Sequence, residues 1–275
     1  MEFQILTSED AAFVLRSADV FLSSEPVLHN LILSILLARA AQGGAGRYWM
    51  AVQGEKTVGV AIQSPVEHAA TLTPMQSGAV AAMVKSMAEE GISLPGVSGD
   101  ATTAACFAGQ WSEQRGVAAM PFQGLRLYEL LEAGEAPRTT GRLRQAGLSD
   151  RDLMVRWTGA FQDEIGEPVN DLELRVERGL GSRNLWVWED GGEAVSMTLS
   201  REAACGVVRL SGVYTPPEKR GRGYAGACVH SLSRQLVGLG YRCILYTDLG
   251  NPTSNSIYKR IGYRAVGEGL RYRFV

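Results

Sequence analysis

The sequence predicts an α/β (α+β) protein in two similar halves. Short runs rich in β-branched and aromatic residues alternate with longer segments whose apolar residues recur at helical spacing. Residues 134–141 carry Pro, Gly and Thr without an apolar period and read as a linker between 1–133 and 142–275. The order of elements before that linker repeats the early part of the order after it. A chain of 275 residues is long enough for one large domain or two of ordinary size.

In the first half, 3–6 reads as a strand, Ser8 as the cap of the following helix, and Pro26 as the opening of another helix, apolar through Leu37. Residues 48–52 and 58–63 read as strands around a turn at Gly54 and Glu55. Residues 70–74 read as strand-like and lead into a helix over 75–90. In the second half, 142–146 reads as a strand. Ser149 can cap a helix over 150–165, where Leu153, Trp157, Ala160 and Phe161 recur at helical spacing. A short helix over 172–180 and strands over 184–188, 194–199 and 206–215 follow, with turns at 190–192 and 203–206. Next come a helix over 225–239, a strand over 243–248, a loop at Gly250, Asn251 and Pro252, and a short helix over 255–261 that Gly262 can end. Residues 263–275 read as strand, turn and strand, with Gly267 and Gly269 at the turn.

The most informative stretch runs Val213-Tyr214-Thr215-Pro216-Pro217-Glu218-Lys219-Arg220-Gly221-Arg222-Gly223-Tyr224-Ala225. Gly221 and Gly223 let the main chain approach a ligand with no Cβ in the way. The first N–H groups of the helix that follows have no intrahelical partner, and the helix dipole favours negative charge at that end. Arg220 and Arg222 add full positive charge. The stretch is an anion site built largely from backbone. A Walker loop would need a Gly-Lys-Ser/Thr run, which is absent. Gly221-x-Gly223-x-x-Gly226 fits the letters of a dinucleotide fingerprint, but it lies late in the chain. No acidic residue ends a following strand at the required distance, Asp248 being the nearest candidate.

Arg220-x-x-Gly223-x-Ala225 resembles the acyl-CoA pyrophosphate loop of the GNAT acetyltransferase superfamily. Downstream, Asn255, Tyr258, Gly262 and Tyr263 are similar to that superfamily's Asn-x-x-x-Tyr-x-x-x-Gly-Phe/Tyr helix, with an Asn–Tyr spacing of three in place of four. That spacing puts Asn255 and Tyr258 on one helix face. The resemblance implies a GNAT fold, with a mixed, mostly antiparallel central sheet and flanking helices, present twice. Residues 1–133 would form a degenerate domain and 142–275 the catalytic one. The N-terminal counterpart of the loop, 73–78, has no arginine and a single glycine.

The resemblance also implies acetyl-CoA (coenzyme A) as cofactor, bound by Val213, Tyr214, Thr215, Arg220, Gly221, Arg222, Gly223, Tyr224, Ala225, Asn251, Asn255 and Tyr258. Within that set, the Val213 N–H would meet the thioester carbonyl and the Thr215 backbone the pantetheine arm. The N–H groups of 221–225 would bind the pyrophosphate, and Arg220 would order the loop or meet a phosphate. Asn255 would contact the arm or position its helix, and Tyr258 would act as general acid toward the leaving sulfur. Gly212 is a natural site for a β-bulge that opens the cleft. Glu164, Glu167, Glu193 and Asp248 are base candidates by position; a water chain would leave the role with no single residue.

Composition supports an ordinary globular protein, 45% hydrophobic and 20% charged, with a formal net charge of −2. No general basic field points to nucleic acid. The scattered Cys106, Cys205, Cys228 and Cys243 fit neither a metal site nor a disulfide framework, and each reads as a small buried apolar residue. The start lacks the pattern of a signal peptide and no apolar stretch is long enough to span a bilayer, so the expected location is cytoplasmic, without membrane partner. Trp186 and Trp188 face the same way on one strand and read as core. His230 reads as structural or exposed, and His29 and His68 have no visible partner.

The expected activity is acetyl-CoA-dependent N-acetylation of a primary amine on a small molecule or peptide, by a monomer or homodimer. Two alternatives stand beside it: a tandem GNAT with a special acceptor, resembling mycothiol synthase, and a non-catalytic acyl-CoA-binding sensor or interaction module.

Overall fold

The computed structural model describes residues 3–166 and 171–275. In chain order the elements of the first half are β1 (Gln4–Ser8), α1 (Ala11–Ser17), α2 (Asp19–Ser24), α3 (Asn30–Gln42), β2 (Arg47–Gln53), β3 (Lys56–Gln63), β4 (Ala70–Leu72), α4 (Ser77–Glu89), β5 (Gly96–Asp100), α5 (Ala101–Arg115) and β6 (Ala119–Leu130). Those of the second half are β7 (Arg142–Gln145), α6 (Arg151–Ile165), α7 (Leu172–Gly181), β8 (Leu185–Asp190), β9 (Glu193–Ser200), β10 (Val207–Tyr214), α8 (Tyr224–Gly238), β11 (Arg242–Asp248), α9 (Pro252–Arg260) and β12 (Tyr263–Phe274).

Two compact units make up the chain, and they are not a simple cut at 134–141. One contains Met1–Leu127, Tyr246–Pro252 and Ala265–Val275; the other contains Tyr128–Leu245 and Thr253–Arg264. The last residues therefore pack with the first unit, because β12 pairs antiparallel with β5, Gly269 opposite Asp100 through Arg273 opposite Gly96.

The first unit orders its strands β1, β2, β3, β4, β5, β12. Antiparallel hairpins build β1 to β4, and β4 runs parallel to β5. Its core gathers Trp49, Ala61, Leu72, Met83, Met87, Phe107 and Trp111 between sheet and helices α4 and α5. Local signals differ from expectation at two helix starts. The Asp10 carboxylate, not Ser8, caps α1 by accepting from the Ala12 N–H at 2.8 Å, while Ser8 Oγ accepts from the Asp10 N–H. Pro26 lies in a turn and α3 begins at Asn30. β12 is one continuous strand with no turn at Gly267 and Gly269. A Cβ on Gly269 would stand 2.9 Å from the Gly99 carbonyl oxygen, so the glycine serves a close strand approach.

The second unit orders β11, β10, β9, β8, β7. The β7–β8, β8–β9 and β9–β10 pairs are antiparallel and β10–β11 is parallel. One face packs on α8 and α9 through Val208, Leu210, Val229, Leu232, Leu245 and Ile261. The other packs on α6 and α7 through Met154, Trp157, Val176, Leu180, Met197 and Leu199. Burying each such side chain contributes roughly 1.5–3 kcal/mol, so the apolar faces of these helices fix them to the sheet. The α6 start is organised by Asp150, not Ser149. Its carboxylate accepts from the Gly147 N–H at 2.8 Å and from both terminal nitrogens of Arg144, which hold it below the usual carboxylate range.

Candidate functional site

The site is built on β10. Leu210 and Ser211 stand opposite Ser200 and Leu199 on β9, but the next matched pair is Tyr214 with Met197. One extra residue is therefore held on β10, with Gly212 at φ +60. This is the expected bulge. The left-handed backbone at Gly212 favours glycine, and a Cβ there would meet Leu199 Cδ1 at 2.6 Å, so the Leu199 side chain would have to shift. Thr198 Oγ1 donates to the Ser211 carbonyl at 3.3 Å, and Ser196 Oγ donates to the Tyr214 carbonyl at 3.0 Å. Both tie the bulged strand to β9. On the other side, the parallel ladder with β11 ends at Leu210 and Leu245. Beyond that point, among the described residues, no strand pairs with that edge of β10.

The bulge also sorts the side chains. Val213 packs toward the α8 cluster and Tyr214 toward α6, where its ring lies 6.1 Å from that of Trp157. The backbone of Val213, Tyr214 and Thr215, not their side chains, follows the open edge.

After β10, Gly221 and Gly223 take φ +77 and +81, and α8 begins at Tyr224. A Cβ at Gly221 would touch nothing within 4 Å, so the glycine there answers to backbone conformation and open space, not to protein packing. The Tyr224 side chain is buried and its hydroxyl donates to Asp190 Oδ2 at 2.6 Å. With Tyr224 first, then Thr140 and the charge of Arg222, this holds Asp190 below its ordinary pKa. Tyr224 and Ala225 therefore offer the site only main-chain groups, whereas Arg222 is exposed. Arg220 is turned back on its own loop: its Nε donates to the Thr215 carbonyl at 2.9 Å, its Nη2 to Glu164 Oε1 at 2.5 Å, and its guanidinium lies 5.8 Å from the Tyr214 ring centre.

Helix α9 carries Asn255 and Tyr258 on one buried face. Asn255 Oδ1 accepts from the Tyr128 hydroxyl at 3.0 Å. The Tyr258 ring sits among Tyr128 and Tyr263 at 6.2 and 6.1 Å, and burial pushes its phenol well above the usual range.

The base candidates are mostly engaged. Glu164 pairs with Arg220, and Glu193 with Lys219 at 3.0 Å. Glu167 lies outside the described residues. Asp248 and Asn251 belong to the first compact unit. The Asp248 carboxylate accepts from Gln123 Nε2 at 2.8 Å and from the Gly250 N–H at 2.6 Å, and the Asn251 N–H donates to the Asp248 carbonyl at 3.1 Å. His230 is structural, hydrogen-bonded through Nε2 to the Gly134 carbonyl at 2.9 Å. His29 is buried against the Phe21 ring, with Nδ1 3.2 Å from the Leu22 carbonyl. The indoles of Trp186 and Trp188 donate to Ser200 Oγ and the Thr140 carbonyl. Cys228 and Cys243 are buried as expected, but Cys205 is exposed. Among the described residues no His, Cys, Asp or Glu cluster could hold a metal, and no helix is long and apolar enough to cross a membrane.

Residues 191–273, which span β10, the glycine loop, α8 and α9, match the family model described as FR47-like protein. Solved structures match almost end to end. A GNAT-family acetyltransferase from Colwellia psychrerythraea aligns over 99% of this chain and 100% of its own, at TM-score 0.65 and 13% identity. This chain has the fold of the GNAT acetyltransferases. A GCN5-related N-acetyltransferase from Sphaerobacter thermophilus aligns over 98% of this chain and 95% of its own, at TM-score 0.64 and 16% identity. A Drosophila protein aligns over 99% and 98%, at TM-score 0.69 and 14% identity. At such identities the likeness concerns the fold. No curated protein matches the sequence significantly.

In the first unit of the chain, the stretch that follows β4 has no left-handed glycine. Thr73 instead seals it to β3, its N–H donating to the Val60 carbonyl and its Oγ1 accepting from the Val60 N–H, both at 2.9 Å. Gly78 lies against Phe3, whose Cε2 would stand 2.7 Å from an added Cβ.

Proposed function

We propose that the unit built on β10, α8 and α9 transfers an acetyl group from acetyl-CoA directly to a primary amine of a small molecule or peptide. The observation that carries this reading is the edge of β10. Its ladder with β11 stops at Leu210, the Gly212 bulge follows, and the strand runs on into two left-handed glycines at a helix start. That is a continuous main-chain surface for an extended amide-bearing arm ending in an anion.

Acetyl-CoA, when bound, supplies the acyl group as a thioester. The residues present fit it. The N–H groups of 221–225 point their partial charges at the pyrophosphate end, with Arg222 as the exposed cation. Val213 and Thr215 pair their backbone groups with the arm as an added strand would. With acetyl-CoA bound, the Val213 N–H would donate toward the thioester carbonyl oxygen. Arg220 fixes the loop through Thr215 and Glu164 and leaves phosphate contact to its neighbours. Asn255 positions α9 through Tyr128, and Tyr258 presents a phenol toward the leaving sulfur. Because burial raises that phenol, it would remain protonated at neutral pH and serve as a hydrogen-bond donor and proton source for the leaving sulfur. With Glu164 and Glu193 ion-paired, the amine gives its proton to water. In this reading the first unit, sealed at Thr73, binds no cofactor.

Titration with CoA, followed by a thiol-release assay with acetyl-CoA and a panel of amines, tests the proposal. Micromolar CoA binding with amine-dependent thiol release is expected. Binding without release from any amine would move the reading to an acyl-CoA sensor, and absence of CoA binding would overturn it.

A further inference from the structure

Arg201, the residue after β9, stands opposite Arg209 of β10. The Arg201 N–H donates to the Arg209 carbonyl at 2.8 Å, which continues the register that pairs Ser200 with Leu210. Directly opposed residues point to the same face, and like charges so placed are destabilising. Alternation puts this face opposite the one through which Val208 and Leu210 pack on α8. It is therefore the face covered by α6 and α7. Arg175 of α7 brings a third positive charge to bear on Arg201. Burial, then Arg209 and Arg175, push the Arg201 guanidinium down to about 10, so it remains a cation at neutral pH, at an electrostatic cost.

Independent of any titration, the same region holds buried polar atoms without a partner. Arg201 Nε is one, and Ser211 Oγ, on the Arg209 face of β10, is another. Asn184 Oδ1 is a third; it lies 3.3 Å from where a Cβ on Gly179 would stand, and Gly179 is one turn along α7 from Arg175. Buried polar atoms in folded proteins are almost always paired. Among the described residues no carboxylate is paired with Arg201. A planar, desolvated guanidinium backed by further cations is the environment that a carboxylate or phosphate completes. Roughly 10 Å of strand separates Arg209 from the Gly212 bulge, so the cluster and the proposed reaction centre share one strand.

We propose that Arg201, backed by Arg209 and Arg175, binds an anionic group, a carboxylate or a phosphate, carried by the acetyl acceptor. The acceptor assignment rests on the acetyl-transfer reading; the anion site rests on the opposed Arg201 and Arg209 and the unpartnered polar atoms around them.

The test compares matched amines: 6-aminohexanoate with its amide, and O-phosphoethanolamine with ethanolamine. CoA affinity is measured first. With wild-type protein, the anionic member of at least one pair should show a kcat/KM at least tenfold above its neutral partner, and the pair that does so names the anion. Arg201→Gln should erase that preference through KM while leaving the CoA Kd unchanged, and Arg201→Lys should keep part of it. Because Arg201→Gln relieves like-charge repulsion, its unliganded Tm should equal or exceed the wild type. In parallel, inorganic phosphate or 6-aminohexanoate, added with CoA saturating, should raise the Tm of wild type and not of Arg201→Gln. Equal reaction of anionic and neutral amines, or a preference that survives Arg201→Gln, overturns the anion site and leaves acetyl transfer standing. If CoA does not bind and no thiol is released, acetyl transfer falls instead. The anion-dependent Tm shift without CoA then decides the arginine site: a shift lost in Arg201→Gln supports it, and no shift overturns it.

Discussion

The Tyr128 hydroxyl donates to Asn255 Oδ1 at 3.0 Å, within the buried cluster that also holds Tyr258. Tyr128 comes from β6 and Asn255 from α9, so this hydrogen bond, with the packing of Ile257 and Tyr258, ties β6 to the helix that carries Tyr258. Tyr128→Phe removes the donor without opening a cavity. Losing this buried bond should cost about 1–3 kcal/mol, seen as a Tm lower by roughly 2–4 °C for each kcal/mol. If α9 positions Tyr258, kcat should fall with it. A variant with the expected Tm loss and full kcat would show that the bond is structural only.

Gly223→Ala tests the glycine loop. At φ +81 an alanine is strained by about 1–2 kcal/mol, although a methyl has room, the nearest atom being Thr139 Cβ at 3.9 Å. The loop, not the core, should absorb that strain. CoA is expected to bind at least tenfold more weakly by titration calorimetry, with a Tm within a few degrees of wild type. Unchanged CoA affinity would separate the loop from cofactor binding.

How far these features were legible depends on how local their signals are. The Gly212 bulge, the left-handed pair Gly221 and Gly223, and the buried face of Asn255 and Tyr258 each follow from a few adjacent letters, and the structure has them where those letters fall. β5, α5 and β6, over 96–130, carry weak patterns: β5 reads Gly-Val-Ser-Gly-Asp, and its strand character comes from β4 and β12 on either side. Gly267 and Gly269 carry turn letters that the same pairing overrides. The placing of Ala265–Val275 with the first unit needed the β5–β12 register. The opposition of Arg201 and Arg209 needed the register of β9 on β10, which shifts by one residue between the Ala204–Val207 bridge and the Ser200–Leu210 pair.

Arg220 and Glu164 are about half exposed, at 47% and 46%, so their ion pair contributes little to global stability, about 0–1 kcal/mol. Its effect is local. If the amine gives its proton to water, as proposed, Glu164→Gln should leave kcat within threefold of wild type. Arg220→Ala should raise the acetyl-CoA KM about tenfold by freeing the Thr215 carbonyl and the loop, with the Tm almost unmoved. Steady-state kinetics decide both. A hundredfold loss of kcat in Glu164→Gln would restore it as the general base.

Tyr258→Phe is expected to lower turnover by one to three orders of magnitude, a loss of about 1.4–4 kcal/mol of transition-state stabilisation, while acetyl-CoA binding stays nearly intact. In the proposed reaction the phenol would contribute a proton at the leaving sulfur and little to ground-state affinity. Single-turnover kinetics with a good amine would separate chemistry from release; unchanged turnover would remove Tyr258 from the reaction.

The same burial makes a prediction about pH. Desolvation holds the Tyr258 and Tyr263 phenols above their ordinary pKa, with the Cys243 charge adding to the effect at Tyr263 and the Ser233 hydrogen bond opposing it. In the unfolded chain both tyrosines ionise near pH 10. Above about pH 10 the unfolded state therefore binds fewer protons than the folded state, so unfolding free energy falls as pH rises, by up to about 1.4 kcal/mol per pH unit for each group. Below that pH neither group makes stability depend on pH. Tyr258→Phe should remove one share of the decline, giving a shallower slope between pH 10 and 11 in urea titrations. The same protonation means that Tyr258 should produce no alkaline fall in kcat below pH 10. An identical slope in the variant would mean that the Tyr258 phenol ionises in the folded protein as readily as in the unfolded chain, and with that its role as a proton-retaining donor would fail.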